Sequence, residues 1–100
     1  MAVRKKKHSN IYSDNPEFLA VFRKIAKNVK AIRKKYGYTQ SRFGEEVLQS
    51  ASNINALISN KECVRLEPRG YCYYYTLLDL LLISKEFNIS LTELIEGDIE

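Results

Sequence analysis

One hundred residues make one domain with a single modest core, and 45% hydrophobic and 28% charged residues are ordinary for a globular chain. The net charge of +4 hides an asymmetry. Residues 1–38 carry eleven Lys and Arg against Asp14 and Glu17 (+9), and residues 39–100 carry five against ten acids (−5), so the front half attracts phosphates.

The opening "MAVRKKKHSN" has the charge of a signal-peptide start, but the polar stretch Ile11–Glu17 follows where an apolar one would be needed. No apolar run approaches the roughly eighteen residues that span a bilayer; Leu77–Ile83 is short and interrupted by Asp79. The expectation is a cytoplasmic protein with no membrane partner. Residues 1–13 are basic and polar, with little to bury, and are expected to form a disordered arm.

Helix signals begin at "SDNPEF", where Asp14 or Asn15 can cap, Pro16 suits the first helical position and Glu17 suits the positive helix end. Phe18, Phe22, Ile25, Val29 and Ile32 then recur at helical spacing, with Arg23, Lys24, Lys27, Lys30, Lys34 and Lys35 off the stripe. The spacing predicts a long amphipathic helix with a basic outside, stopping at Gly37. Thr39 can cap a second helix with Phe43 and Val47 inward. Gly44 in its middle costs roughly 1 kcal/mol relative to alanine, which suggests a close approach by another helix. Ser50 can cap a third, with Ile54, Leu57 and Ile58 buried.

The stretch "ECVRLEPRGYCYYY" reads as strand, turn, strand, because Pro68-Arg69-Gly70 suits a type I turn closed by a left-handed glycine. In that register Leu66 faces Cys72 and Val64 faces Tyr74, giving an apolar side of Val64, Leu66, Cys72 and Tyr74. The other side carries Arg65, Glu67, Tyr71, Tyr73 and Tyr75. Cys63 and Cys72 fall on opposite sides, which argues against a bridge, and two thiols with only His8 elsewhere offer neither a metal site nor an activated nucleophile. No catalytic residues, metal or cofactor are expected.

Thr76-x-x-Asp79, a near-capping box, and Ser90-x-x-Glu93, a full one, open a fourth helix at about 77–87 and a fifth at about 91–96, ended by Gly97. The core stripe of the fourth is expected to be Leu77, Leu81 and Ser84, which leaves Leu78 and Leu82 as extra apolar surface. That surface calls for a cover from the N-terminal helix, the hairpin or a second subunit. The expected organisation is an arm at 1–13, a domain at 14–97 with the insert at about 62–75, and an acidic tail at 98–100.

The segment "YTQSRFGEEVLQSASNINALISNK", residues 38–61, resembles the Cro/repressor-type (Xre-like) helix-turn-helix family. Thr39-Gln40 opens the first helix of the motif, and Phe43, Val47, Ile54 and Leu57 take its core positions. Leu48-Gln49-Ser50 is the turn, and "NVKAIRKKYGYTQ" before and "TLLDLLLISKEFNISLTELI" after extend the likeness over roughly 25–95. The resemblance implies a mainly α, five-helix lambda-repressor-like DNA-binding domain, here with a β-hairpin inserted between helices 3 and 4. It implies a transcriptional regulator, a repressor in the first instance, that binds double-stranded DNA as a homodimer, with base-reading positions at Ala51, Ser52, Asn53 and Ala56. By the same likeness Gln40 meets phosphate and braces the reading helix, and Asn60 and Lys61 belong to a phosphate-contacting loop.

The reading helix, about 51–58, has no charge, so Asn53 or Asn55 would have to read adenine, with Ser50 capping beside them. Arg4, Lys5, Lys6 and Lys7 resemble a basic arm that adds salt-sensitive affinity. Members of this family often pair the arginine aligned with Arg33 with a glutamate just after the reading helix. Ile58 stands there instead, so Arg33 must be solvated, bound to phosphate or paired with Glu62 or Glu67. Tyr71, Tyr73, Tyr75, Leu78 and Leu82 form the candidate partner surface. It suits a second subunit or, in the alternative reading, the toxin or other regulator bound by an antitoxin-like module. A third reading uses the exposed tyrosines as a stacking shelf for single-stranded nucleic acid.

Overall fold

The structure, a computed structural model, describes residues 11–49, 54–68 and 70–100, and residues 54–57 by backbone alone. Among the described residues the chain forms six α-helices and no strand: α1 (Ile11–Asp14), α2 (Pro16–Lys35), α3 (Gln40–Arg42), α4 (Ile54–Glu62), α5 (Leu77–Phe87) and α6 (Leu91–Glu96). The five-helix arrangement with an inserted β-hairpin is therefore corrected. The first difference is α1, which overlaps the end of the stretch expected to be a disordered arm. Tyr12 gives it an apolar anchor, its ring lying 6.0 Å from Phe22 and 6.3 Å from Tyr74. Asn15 joins α1 to α2 without capping: its side-chain amide donates back to the Ile11 carbonyl at 2.8 Å.

The second difference lies after α4. Val64, a β-branched residue, is held at φ 50 in the left-handed region. Its N–H donates to the Lys61 carbonyl, and the Arg65 N–H donates to that of Asn60, a Schellman closure of the helix. Cys63, Val64 and the Arg65 N–H are thus taken by the end of α4, and only Leu66 and Cys72 pair, in a lone antiparallel bridge closed by Tyr73 N–H to the Arg65 carbonyl and Glu67 N–H to that of Tyr71. That pairing is the expected one, but it does not extend into strands. Tyr75, expected to face outward, is instead 4% exposed and belongs to the core, whereas Tyr74 is half-buried with its ring stacked on Phe22 at 4.5 Å.

The helix ends follow local chemistry. Gly37 at φ 75 closes α2 through Tyr38 N–H to the Arg33 carbonyl, and Asn88 at φ 55 closes α5 through Ile89 N–H to Ser84. Thr39 accepts from Arg42 N–H at 3.1 Å. The Thr76–Asp79 capping box is complete, at 3.1 and 2.9 Å. At Ser90 only the forward half, from Glu93 N–H at 3.1 Å, is formed. Past Arg42 the helix widens into a π-helical turn, Phe43–Val47, closed by Leu48 N–H to the Phe43 carbonyl. This turn buries Phe43, Gly44 and Val47 together.

The core runs from Ile25, Val29 and Ile32 through Phe43, Val47 and Ile58 to Leu80, Ile83 and Leu94. α2 is its axis, packed on α4 and α6. Of the stripe expected for the fourth helix, now α5, neither leucine is inside. The buried residues are Asp79, Leu80 and Ile83, and Leu77, Leu78 and Leu81 are 63%, 64% and 47% exposed. The cause is the cap: with Asp79 turned inward to Thr76 and Lys61, the helix is rotated so that Leu80 and Ile83 follow it into the core.

Candidate nucleic-acid interface

α3 and α4 are bound together by a buried polar clamp. The Arg33 guanidinium donates from Nε to Glu62 Oε2 at 2.5 Å, from Nη2 to Glu62 Oε1 at 3.3 Å and from Nη1 to the Tyr38 carbonyl at 2.8 Å. Gln40, the first residue of α3, donates to the same Glu62 carboxylate at 3.0 Å. The Arg33 and Glu62 side chains are 10% and 6% exposed, so this fork is largely out of water. Gln40 therefore braces the end of α4 from within the protein. Of the three partners open to Arg33, Glu62 is the one it takes.

Lys61, one residue earlier, turns the other way. Its ammonium bonds Asp79 Oδ2 at 2.7 Å, with both side chains 12% exposed, and lies over the Tyr75 ring at 5.7 Å. Asp79 thus serves the α5 cap and Lys61 at once. The expected phosphate contact from Lys61 would require breaking this pair. Consecutive residues of α4 tie its last turn to α2 on one side and to α5 on the other.

Ser50, Ala51, Ser52 and Asn53 lie outside the described residues, as do Arg4, Lys5, Lys6 and Lys7. Asn55 and Ala56 are in the first turns of α4 by backbone. Asn60 lends its carbonyl to Arg65 N–H and to the Cys63 thiol. Of the candidate partner surface, Tyr71 is 62% exposed and Leu78 64%, Tyr73 and Leu82 are half-buried, and Tyr75 is inside. Leu77 and Leu81 join the exposed apolar set that the sequence assigned only to Leu78 and Leu82.

Burial pushes the Tyr75 hydroxyl well above the ordinary phenol range; the charges of Glu62 and Asp79 add to this and Arg33 opposes it. That hydroxyl has no hydrogen-bond partner among the described residues. Burial likewise raises the Cys72 thiol, against a smaller lowering by Arg23, so it is kept protonated and inert. Cys63 and Cys72 are both free.

Two further features were not singled out in the sequence. Asn28 is fully buried, donating to the carbonyls of Leu94 and Gly97 at 2.9 Å each and accepting from Ile99 N–H at 3.1 Å. Its signal was available: a polar residue between Ile25, Val29 and Ile32 on the inward face of a helix. Residues 98–100, expected as a tail, are docked by this clasp and by the ion pair of Asp98 with Lys24. A cavity of about 200 Å³ is lined by Tyr12, Lys61, Tyr71, Cys72, Tyr73 and Tyr74, together with Thr76.

Comparison with protein-family models, with curated proteins and with solved structures finds no match to this chain. No described helix is long and apolar enough to cross a membrane.

Proposed function

We propose that this chain is a small DNA-binding regulator that reads double-stranded DNA with the first turns of α4. The observation that supports this reading is the Arg33–Glu62–Gln40 clamp. It fixes the last turn of α4 to α2 and α3, so the opposite, N-terminal end of α4 is presented on a rigid support. Rigid placement is what base readout needs, because two-pronged contacts tolerate little tilt. In sequence, the residues leading into and opening α4 include the short, uncharged Ala51, Ser52, Asn53, Asn55 and Ala56. Affinity then comes chiefly from cations elsewhere, Arg4–Lys7 among them, and sequence preference from the asparagines.

Selection from a random duplex pool tests this. A DNA-reading chain enriches a motif, and Asn53→Ala or Asn55→Ala broadens it at one or two positions while random-sequence affinity stays the same. Failure to enrich any motif, or equal losses on all duplexes, would sink the reading. A second reading, a protein-binding module, is favoured by one observation, the exposed Leu77, Leu78 and Leu81 on α5. The same face serves equally to pair two copies of the chain.

A further inference from the structure

The outer face of α2 carries Arg23, Lys27, Lys30 and Lys34 at spacings of four, three and four. At 3.6 residues per turn these four fall within an arc of about 60° and span roughly 16 Å along the helix. The arc lies opposite the buried face of Ile25, Val29 and Ile32. All four are exposed, and none makes an ion pair within the described residues; the α2 cations that do, Lys24 with Asp98 and Arg33 with Glu62, sit off the line. A row of cations with no internal partners is a track for an anionic chain.

What stands at the end of that track narrows the anion. Phe22, next to Arg23, stacks flat on Tyr74 at 4.5 Å and 7°. This stacking brings the 71–74 segment alongside the Arg23 end of the row. Arg23 is close enough to Cys72 to act on its thiol electrostatically. On that segment the Tyr71 and Tyr73 rings meet at 90°, with centroids 5.0 Å apart, and Tyr71 is 62% exposed. The 200 Å³ cavity walled by Tyr12, Tyr71, Tyr73 and Tyr74 opens beside them. A duplex offers phosphates but keeps its base faces stacked, and an acidic protein has no row of flat rings. A single strand offers both.

We propose that Tyr71 and Tyr73, continued by Arg23, Lys27, Lys30 and Lys34, form a binding track for single-stranded nucleic acid that is separate from α4. The rings stack on one or two unpaired bases, and the cations follow the phosphates. Since stacking and charge are indifferent to base identity and to the sugar, the track takes RNA or DNA with little sequence preference.

The test is fluorescence anisotropy with labelled twelve-nucleotide strands of thymidine and of uridine, an abasic strand of equal length, and a mixed-sequence duplex, each over a salt series. Tyr71→Ala lowers affinity for the base-bearing strands by about 5- to 150-fold. Tyr71→Phe restores it, and duplex affinity is unmoved. The Lys27→Ala, Lys30→Ala double variant flattens the slope of log affinity against log salt by about 1.4, at roughly 0.7 per phosphate contact on a single strand. Tyr71 is exposed, so circular dichroism and the melting curve of Tyr71→Ala match the parent. Equal binding of the abasic strand, or a Tyr71→Ala affinity within twofold of the parent on both base-bearing strands, overturns the proposal. Asn55→Ala leaves single-strand binding intact, so a failed duplex selection with a positive result here removes the α4 reading and keeps this one.

Discussion

At the scale of single residues, Glu62 carries the most. It is the shared acceptor of Arg33 and Gln40, and removing it strands a buried guanidinium. Breaking one side of such a pair costs about 3–5 kcal/mol, a large part of the stability of a small domain. Glu62→Ala is therefore expected to shift the urea midpoint strongly, and Arg33→Met with Glu62→Leu to recover most of the loss. A Glu62→Ala midpoint near that of the parent would show the clamp to be dispensable. Tyr75 carries a different prediction. Its hydroxyl is buried without a partner among the described residues and its ionisation is pushed up, so at high pH the unfolded chain loses that proton first. Its stabilising contribution is complete below the ordinary phenol value near 10 and is lost as pH rises above it. Tyr75→Phe should leave neutral stability equal or slightly raised and flatten the alkaline decline, measured by urea unfolding from pH 7 to 11.

At the scale of elements, the closure of α6 is the most sensitive. Gly97 sits at its end, where an added Cβ would meet the Glu93 carbonyl oxygen at 2.6 Å. That oxygen belongs to backbone, so Gly97→Ala must shift the turn whose carbonyl Asn28 holds. We expect a loss of about 1–3 kcal/mol, and faster amide exchange at Leu94 and Ile99. The helices were legible in the sequence because caps and periodicity are local: Pro16, Thr39, Thr76, Ser90 and Gly37 all act where they were expected to. The insert was misread because its outcome is not local. A Pro-Arg-Gly turn favours a hairpin, but the end of α4 takes Val64 into a conformation no β-propensity scale would assign. The face of α5 was misread for a related reason. Five leucines and an isoleucine among residues 77–83 satisfy several stripes, and Asp79, drawn inward by Lys61, chooses among them. Arg33 was legible in part, as a cation without its usual partner, left to water, to phosphate or to a later acid, of which Glu62 is the one it takes.

At the scale of the whole molecule, charge and apolar surface are segregated. The cations of α2 face solvent on one side, and Leu77, Leu78 and Leu81 face it from α5. An apolar helix face of this kind draws copies together at high concentration. Sedimentation velocity across a hundredfold range of concentration should show association that Leu78→Asp with Leu81→Asp abolishes, without loss of helical signal. A parent that stays monomeric throughout would leave this face for a different partner. The acids of the second half belong partly to the fold: Glu62 and Asp79 are committed to internal pairs, and Asp98 to Lys24. Each pair withdraws one cation with one acid, so the remaining groups still carry +4, and the cations left in the first half, apart from Lys24 and Arg33, keep their charge unpaired among the described residues.

The Asn28 clasp has a consequence in time. Its amide is made early in synthesis, but its acceptors at Leu94 and Gly97 and its donor at Ile99 are made 66 to 71 residues later. Until they arrive, α2 has a polar group in the middle of the face it must bury, and closing so long a loop comes late. Until residues 94–99 have emerged, α2 therefore cannot complete its packing. The apolar stripe of α2 stays open to chaperones until that segment docks.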